Sequence, residues 1–168
     1  VPEIDMPGHS SCAIRNYEGL SCFDKTQWRA FSSPMCPGKD HVLEFCKDIY
    51  REIFSLFPYK YVHIGGDEVD MTDWKECPDC QKRMRENNLK SEPELQAWFN
   101  RYMERFFHEN GREMVGWDEI LDGGISPTAN IMWWRGGAPN VIGRSLANGN
   151  KVVCTPTTAF YLDYAEDP

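Results

Sequence analysis

Tyr61-Val62-His63-Ile64-Gly65-Gly66-Asp67-Glu68 is the stretch on which the fold turns. Its first four residues form a short apolar run rich in aromatic and β-branched side chains, which reads as a buried strand. Two glycines end the run and two adjacent carboxylates follow. Neighbouring acids repel each other. At the mouth of a partly apolar pocket one can keep its proton while the other stays ionised. That split supplies an acid and an electrostatic stabiliser at the same pH. The glycines let the backbone turn sharply and leave room for a ligand. Side chains alternate across a regular strand, so both acids can reach one ligand only where the strand has ended or bulged. Taken alone, the four residues Gly65 to Glu68 are equally explained as a solvated polar loop.

The same arrangement recurs along the chain. Strands are expected at 1–5, 61–64, 113–117, 130–134 and 151–155, with helices over 41–56 and 78–87, a third helix opened by a Ser91-x-x-Glu94 capping box, and a fourth over 139–148. Asp40 is the expected N-cap of the first helix, whose apolar stripe reads Val42, Phe45, Cys46, Ile49, Ile53 and Phe57. Leu95, Trp98, Phe99, Tyr102 and Phe106 mark the buried stripe of the third, and Gly111 its end. A long irregular loop runs from residue 6 to about Lys39. Loops of that length are more often functional than idle.

Alternating strands and helices imply a parallel sheet covered by helices, either doubly wound or closed as a (β/α)8 barrel. Acidic and aromatic residues decide for the TIM barrel. They follow the strand ends: Asp5, Asp67-Glu68, Trp117-Asp118-Glu119 and Trp133-Trp134-Arg135. A barrel builds its active site from that face, using several strand ends. A full barrel takes about 250 residues, so residues 1–168 read as one partial barrel domain of about five βα units. The abrupt ends, Val1-Pro2 and 163–168, suggest a piece of a longer protein.

Composition narrows the function. There are 18 Lys and Arg against 26 Asp and Glu, a formal charge of −8, with 41% hydrophobic residues. No basic run offers itself to nucleic acid, and no segment approaches the roughly 20 apolar residues that span a bilayer. Six Trp provide flat apolar surfaces for the core or for sugars. Seven Cys, at 12, 22, 36, 46, 77, 80 and 154, do not compose a disulfide framework. Cys77-Pro78-Asp79-Cys80 has no second C-x-x-C or His pair after it and reads as a turn or helix start, so no metal site is expected. His9, in Asp5-Met6-Pro7-Gly8-His9, is placed to hydrogen-bond a hydroxyl or simply to be solvated.

Residues 1–9, 63–69, 116–121, 133–136 and 161–164 together resemble, in the same order, signatures of the family 20 glycoside hydrolases, the β-N-acetylhexosaminidases. The resemblance spans nearly the whole chain. It implies a (β/α)8 barrel that removes terminal β-linked N-acetylglucosamine or N-acetylgalactosamine from glycans without metal or cofactor. Glu68 matches the family's general acid/base, and Asp67 the carboxylate that orients and stabilises the substrate's acetamido group. Trp117, Trp134 and Tyr161 match the acetamido pocket, Asp163 a contact to a sugar hydroxyl, and Asp5 with His9 a pair supporting the acid. Adjacent strand residues point opposite ways, so only one of Trp133 and Trp134 faces the sugar, and Trp134 is favoured.

The family's substrate-assisted mechanism is an exception among retaining glycosidases. The resemblance also implies a sugar-holding arginine on a strand with no counterpart here. Arg135 follows a different strand and does not take that role, so residues 1–168 alone are expected to be weakly folded or inactive. Family settings imply export, with the compartment open. Three other readings stand beside this one: an amino-sugar-binding protein without catalysis, a metal or redox protein built on the Cys and His residues, and a two-carboxylate glycosidase using Glu68 with Glu119.

Overall fold

The computed structural model describes residues 1–23 and 34–163. Tyr164, the last residue of one family-like stretch, lies outside them, as do residues 165–168 and part of the long loop that runs to Lys39. At the centre is a parallel sheet of β1 (Tyr61–His63), β2 (Glu113–Trp117), β3 (Asn130–Trp133) and β4 (Lys151–Cys154), in that spatial order. The register places Val62 beside Met114, Gly116 beside Ile131, and Ile131 beside Val152. A doubly wound sheet reverses its strand order part-way. An unbroken sequential order is that of an arc of a (β/α)8 barrel.

Residues 1–5 fall short of the fifth strand expected there. They make one parallel bridge, Glu3 with His63. Around it His63 N–H donates to Pro2 O (2.9 Å), Ile4 N–H to His63 O (3.1 Å) and Met6 N–H to Ile64 O (2.8 Å). Pro2 and Pro7 have no N–H to extend the ladder. The chain therefore runs alongside β1 as an extended edge.

Side-chain alternation sorts the sheet into two faces. Val62, Met114 and Ile131 lie on one, all buried in the main core. Glu3, His63, Val115, Trp117, Asn130 and Met132 lie on the other. The first face is covered by α2 (Asp40–Leu56) and α5 (Glu92–Glu109), which meet in an aromatic cluster. Tyr50 packs edge-on to Phe107 with centroids 4.6 Å apart, and Phe54 packs edge-on to the same ring at 5.2 Å. Phe107 is fully buried, so its truncation to Ala would cost about 3–5 kcal/mol.

The buried face of α2 is Val42, Leu43, Cys46, Tyr50 and Phe54. It is rotated from the expected stripe: Phe45, Ile49 and Ile53 are only partly buried, and Phe57 is exposed. Tyr50 sets the rotation, because its hydroxyl donates to the Ile4 carbonyl at 2.5 Å while its ring joins the aromatic cluster. Before α5 come α3 (Thr72–Glu76) and α4 (Pro78–Glu86). Lys39 occupies the cap position of α2, and Asp40 is its first residue, with its carboxylate paired to Arg83 of α4.

The capping box of α5 does not close. Ser91 makes no side-chain cap bond, and Glu94 instead accepts the Lys90 N–H at 2.8 Å. Gly111, at φ +69°, ends α5 as expected, and Arg112 N–H closes the turn onto Phe107 O at 2.9 Å. Trp98 and Tyr102 sit at the edge of the core, stacked on each other at 5.4 Å under Arg83 and Lys47. The short helices α1 (Ser11–Asn16) and α7 (Thr157–Phe160) flank the ends of the chain, and α6 (Val141–Asn148) precedes β4. No helix among the described residues is long and apolar enough to cross a membrane.

Candidate active site

β1 stops at His63, and Gly65 and Gly66 take φ +73° and +90°. These left-handed turns are open to glycine at little cost. At Gly65 the requirement is double, because a Cβ there would lie 2.1 Å from Asp5 Oδ1 and 2.9 Å from Asp5 Cα. The strand has thus ended before the acids, and Asp67 and Glu68 stand on one loop. His9 bridges them, its Nε2 lying 3.2 Å from Asp67 Oδ2 and 3.6 Å from Glu68 Oε2. Both His9 and Glu68 are themselves at φ +48°. Non-glycine residues rarely adopt that conformation, which concentrates at sites where the surroundings impose it.

The two acids sit in different environments. Asp67 is largely buried and its Oδ1 has no hydrogen-bond partner among the described residues, whereas the Glu68 side chain is half exposed. Burial raises the Asp67 pKa from its ordinary value, with Glu68 adding repulsion, while its own backbone N–H and His9 pull it back. Asp5 lies behind them, with one oxygen within 4.8 Å of His9 and Asp67 ligand atoms. Burial first, then the charges of Asp67 and Glu3, push Asp5 up to about 7. Gln96 of α5 fixes the loop from below by donating to Gly66 O at 2.7 Å.

An aromatic wall stands beside the acids. Trp117 closes β2, and its ring meets Trp134 at 6.4 Å in a T-shaped contact. Trp134 stacks on Tyr161 at 6.3 Å and 21°. Trp133 is the last residue of β3 and alternates to the core side, where its Nε1 donates to Arg135 O. Trp134 falls just beyond the strand and turns toward Trp117. Tyr161 follows α7, and its hydroxyl pKa is raised by partial burial and by Asp67, Asp163, Glu3 and Glu119, which keeps it a donor. Asp163 is exposed two residues further on.

Four residues hold this wall, of which only Glu119 has a role in the sequence reading, as a second carboxylate to Glu68. Glu3 accepts the Trp117 Nε1–H at 2.8 Å and lies 3.4 Å from His63 Nδ1. Asp118, completely buried, accepts the backbone N–H groups of Trp134 and Arg135 and pairs with Arg135 Nε at 2.6 Å. Arg135 is thereby committed to Asp118 and, at 3.5 Å each, to Glu119 and Asp122. Glu119 accepts the Trp134 Nε1–H at 3.0 Å, and burial pushes it up to about 7 against the pull of Trp134 and Arg135. Glu68, Gln96, Glu119, Trp134 and Arg135 line one cleft of about 400 Å³, the size of a small sugar site.

A carboxylate pair and an aromatic wall thus stand together at the strand-end face of the barrel arc. Residues 1–168 match the model of the glycosyl hydrolase family 20 catalytic domain. The chain belongs to that family. It is 42% identical over its full length to a β-hexosaminidase of Porphyromonas gingivalis, of which it covers 22%, and 33% identical to that of Vibrio furnissii, of which it covers 28%. Among solved structures, a β-N-acetylhexosaminidase from Bacteroides fragilis superposes with TM-score 0.89 at 32% identity, over all of this chain and 35% of that one. An exo-β-N-acetylglucosaminidase from Vibrio harveyi, solved in complex with N-acetylglucosamine, superposes at 0.78 and 31%, over 92% of this chain and 25% of that one. The chain therefore spans between 22% and 35% of the length of these relatives, and its sheet is an arc of their TIM barrel.

Proposed function

We propose that the full-length protein is a retaining β-N-acetylhexosaminidase that removes terminal N-acetylglucosamine or N-acetylgalactosamine from glycans, using the substrate's own acetamido group as nucleophile. The observation that carries this is the pairing of a buried Asp67, whose Oδ1 has no partner among the described residues, with an accessible Glu68 on the same turn. The acetamido N–H satisfies the Asp67 oxygen, while the sugar ring rests against Trp134 and Trp117. The acetamido carbonyl oxygen attacks the anomeric carbon as the glycosidic bond breaks. Tethering makes that attack entropically cheap. Glu68 gives its proton to the departing oxygen. Positive charge then spreads over the oxazolinium, and an ionised Asp67 beside its nitrogen stabilises it. Glu68, now a carboxylate, takes a proton from water as the water opens the ring with retention. Tyr161 donates to the acetamido oxygen, and Asp163 meets a sugar hydroxyl. His9 and Asp5 hold the charge balance behind the pair. Sequence identity to named β-hexosaminidases supports the substrate class.

Turnover belongs to the full-length protein rather than to residues 1–168 alone. A second cleft, of about 340 Å³, is lined by Glu3, Asp5, His9 and Met35. Glu68→Gln tests the acid: kcat/KM for an alkyl glycoside should fall far more than for an aryl glycoside with an acidic leaving group, which barely needs the proton. Equal losses on both substrates would remove Glu68 from that role.

A further inference from the structure

The four buried thiols of Cys22, Cys36, Cys77 and Cys80 lie away from the carboxylates and the aromatic wall. From these we infer a structural zinc site in which the four sulfurs bind one ion as a tetrahedral tetrathiolate. Cys22 and Cys80 sulfurs are 3.7 Å apart, Cys36 and Cys77 3.7 Å, and Cys36 and Cys80 3.5 Å. All four lie within 4.8 Å of one another. Zinc–thiolate bonds of about 2.3 Å in a tetrahedron put sulfurs roughly 3.8 Å apart. A disulfide would instead draw two sulfurs to about 2.05 Å. Cys36 is nearly equidistant from two partners, which suits a shared ion and not a pair.

The surrounding backbone is built for the same end. Cys77-Pro78-Asp79-Cys80 opens α4, as the sequence predicts, with Cys77 at the cap and Cys80 in the first turn. A helix N-terminus favours thiolate charge. The Cys77–Cys80 spacing looks incomplete by itself because the other two sulfurs, those of Cys22 and Cys36, come from far away in sequence, between α1 and α2. Cys36-Pro37-Gly38 packs directly on this turn, since a Cβ on Gly38 would lie 2.3 Å from the backbone of Asp79 and Cys80. Cys36 N–H bonds Leu20 O at 2.8 Å, which seats Cys22 beside it. Trp74, Met84 and Leu95 seal the cluster from water. A zinc tetrathiolate carries a net charge of −2. Arg83, bonded to Gly38 O, and Lys39, bonded to Ser21 O, stand at its edge to offset it.

The site would fasten together the two segments that carry the catalytic groups. One is the stretch that bears His9, Cys22 and Cys36, ahead of α2. The other is the connection from Asp67 to α4. Trp74 Nε1 already donates to Met35 O, and Met35 N–H to Pro7 O, two residues from His9. Zinc would make that junction rigid, and its removal would loosen His9 against Asp67 and Glu68.

The test is elemental analysis of the full-length protein as purified, with mass spectrometry of thiols alkylated under denaturing, non-reducing conditions. About one zinc per chain is expected, with all four cysteines alkylated only after unfolding or chelation, and chelator should lower Tm. Cobalt grown into the protein should give the intense visible bands of a tetrahedral thiolate. Cys80→Ser should lose the zinc, whereas Cys154→Ser, at an exposed thiol, should keep it. The wild-type measurements decide the matter even if Cys80→Ser fails to fold. Metal-free protein with four free thiols would overturn the site. So would iron in place of zinc, or disulfides joining Cys22 to Cys80 or Cys36 to Cys77.

Discussion

Gly65→Ala tests whether the turn after β1 holds the catalytic pair. The native φ of +73° is costly for any residue with a Cβ, at about 1–2 kcal/mol. The added methyl would also lie 2.1 Å from Asp5 Oδ1, 2.7 Å from its Cγ and 2.9 Å from its Cα. Rotating the Asp5 side chain relieves the first two contacts and not the third. The edge segment must therefore move, at the cost of forced overpacking, about 1–3 kcal/mol. The sum is about 2–5 kcal/mol of stability. Moving residues 2–6 off β1 also draws His9 away from Asp67. A displacement on the order of 1 Å at a reacting constellation costs about a hundredfold in rate. Thermal melts and kcat/KM on an aryl N-acetyl-β-glucosaminide, in the full-length protein, read both effects. Gly137→Ala is the control, because a Cβ there meets nothing within 4 Å. If Gly65→Ala keeps both the melting temperature and the rate of the control, the argument from backbone conformation and steric contact is wrong.

Asp67→Asn should lower kcat by a hundredfold or more, on the order expected for losing one electrostatic stabiliser, and should do so for good leaving groups as well as poor ones. Unchanged turnover on an aryl substrate would remove Asp67 from the mechanism. Asp5 gives a pH prediction. Its folded pKa, about 7, lies above the unfolded value of 3.8, so the folded state holds the proton more tightly and stability falls as pH rises between roughly 4 and 7. Asp5→Asn abolishes that loss. Its Tm relative to wild type should therefore climb across this window and level off above it, and a constant difference would show that Asp5 titrates normally.

Much of this architecture is legible in local sequence, because the signals concerned are local. The run from Tyr61 to Glu68 shows a strand, a glycine break and an acid pair within eight residues, and the structure keeps that order. Trp133 alternates to the core at the end of β3, whereas Trp134, just past the strand's observed end, turns to Trp117. Where reading fails, the cause is a long-range partner. Asp40 and Glu94 look like capping residues, but Arg83 and the Lys90 N–H compete for them. Asp118 reads as one more acid beside Glu119. Only the fold reveals that it is buried and bound to Arg135 and two backbone N–H groups. The sulfur cluster draws on Cys22, Cys36 and the Cys77–Cys80 turn, three places in sequence that no spacing rule joins.

The most direct test of the central claim compares an aryl 2-acetamido-β-glucoside with the matching 2-hydroxy glucoside in the full-length protein. If the acetamido oxygen is the nucleophile, the first is cleaved at least about a hundredfold faster, well within the range of tethered attack. Equal cleavage of the two would contradict the account and place the nucleophile on the protein, with Glu119, across the same cleft from Glu68, the group to replace first. Binding of the amino sugar with no cleavage of either substrate would contradict it as well, and would leave a sugar-binding protein in place of an enzyme.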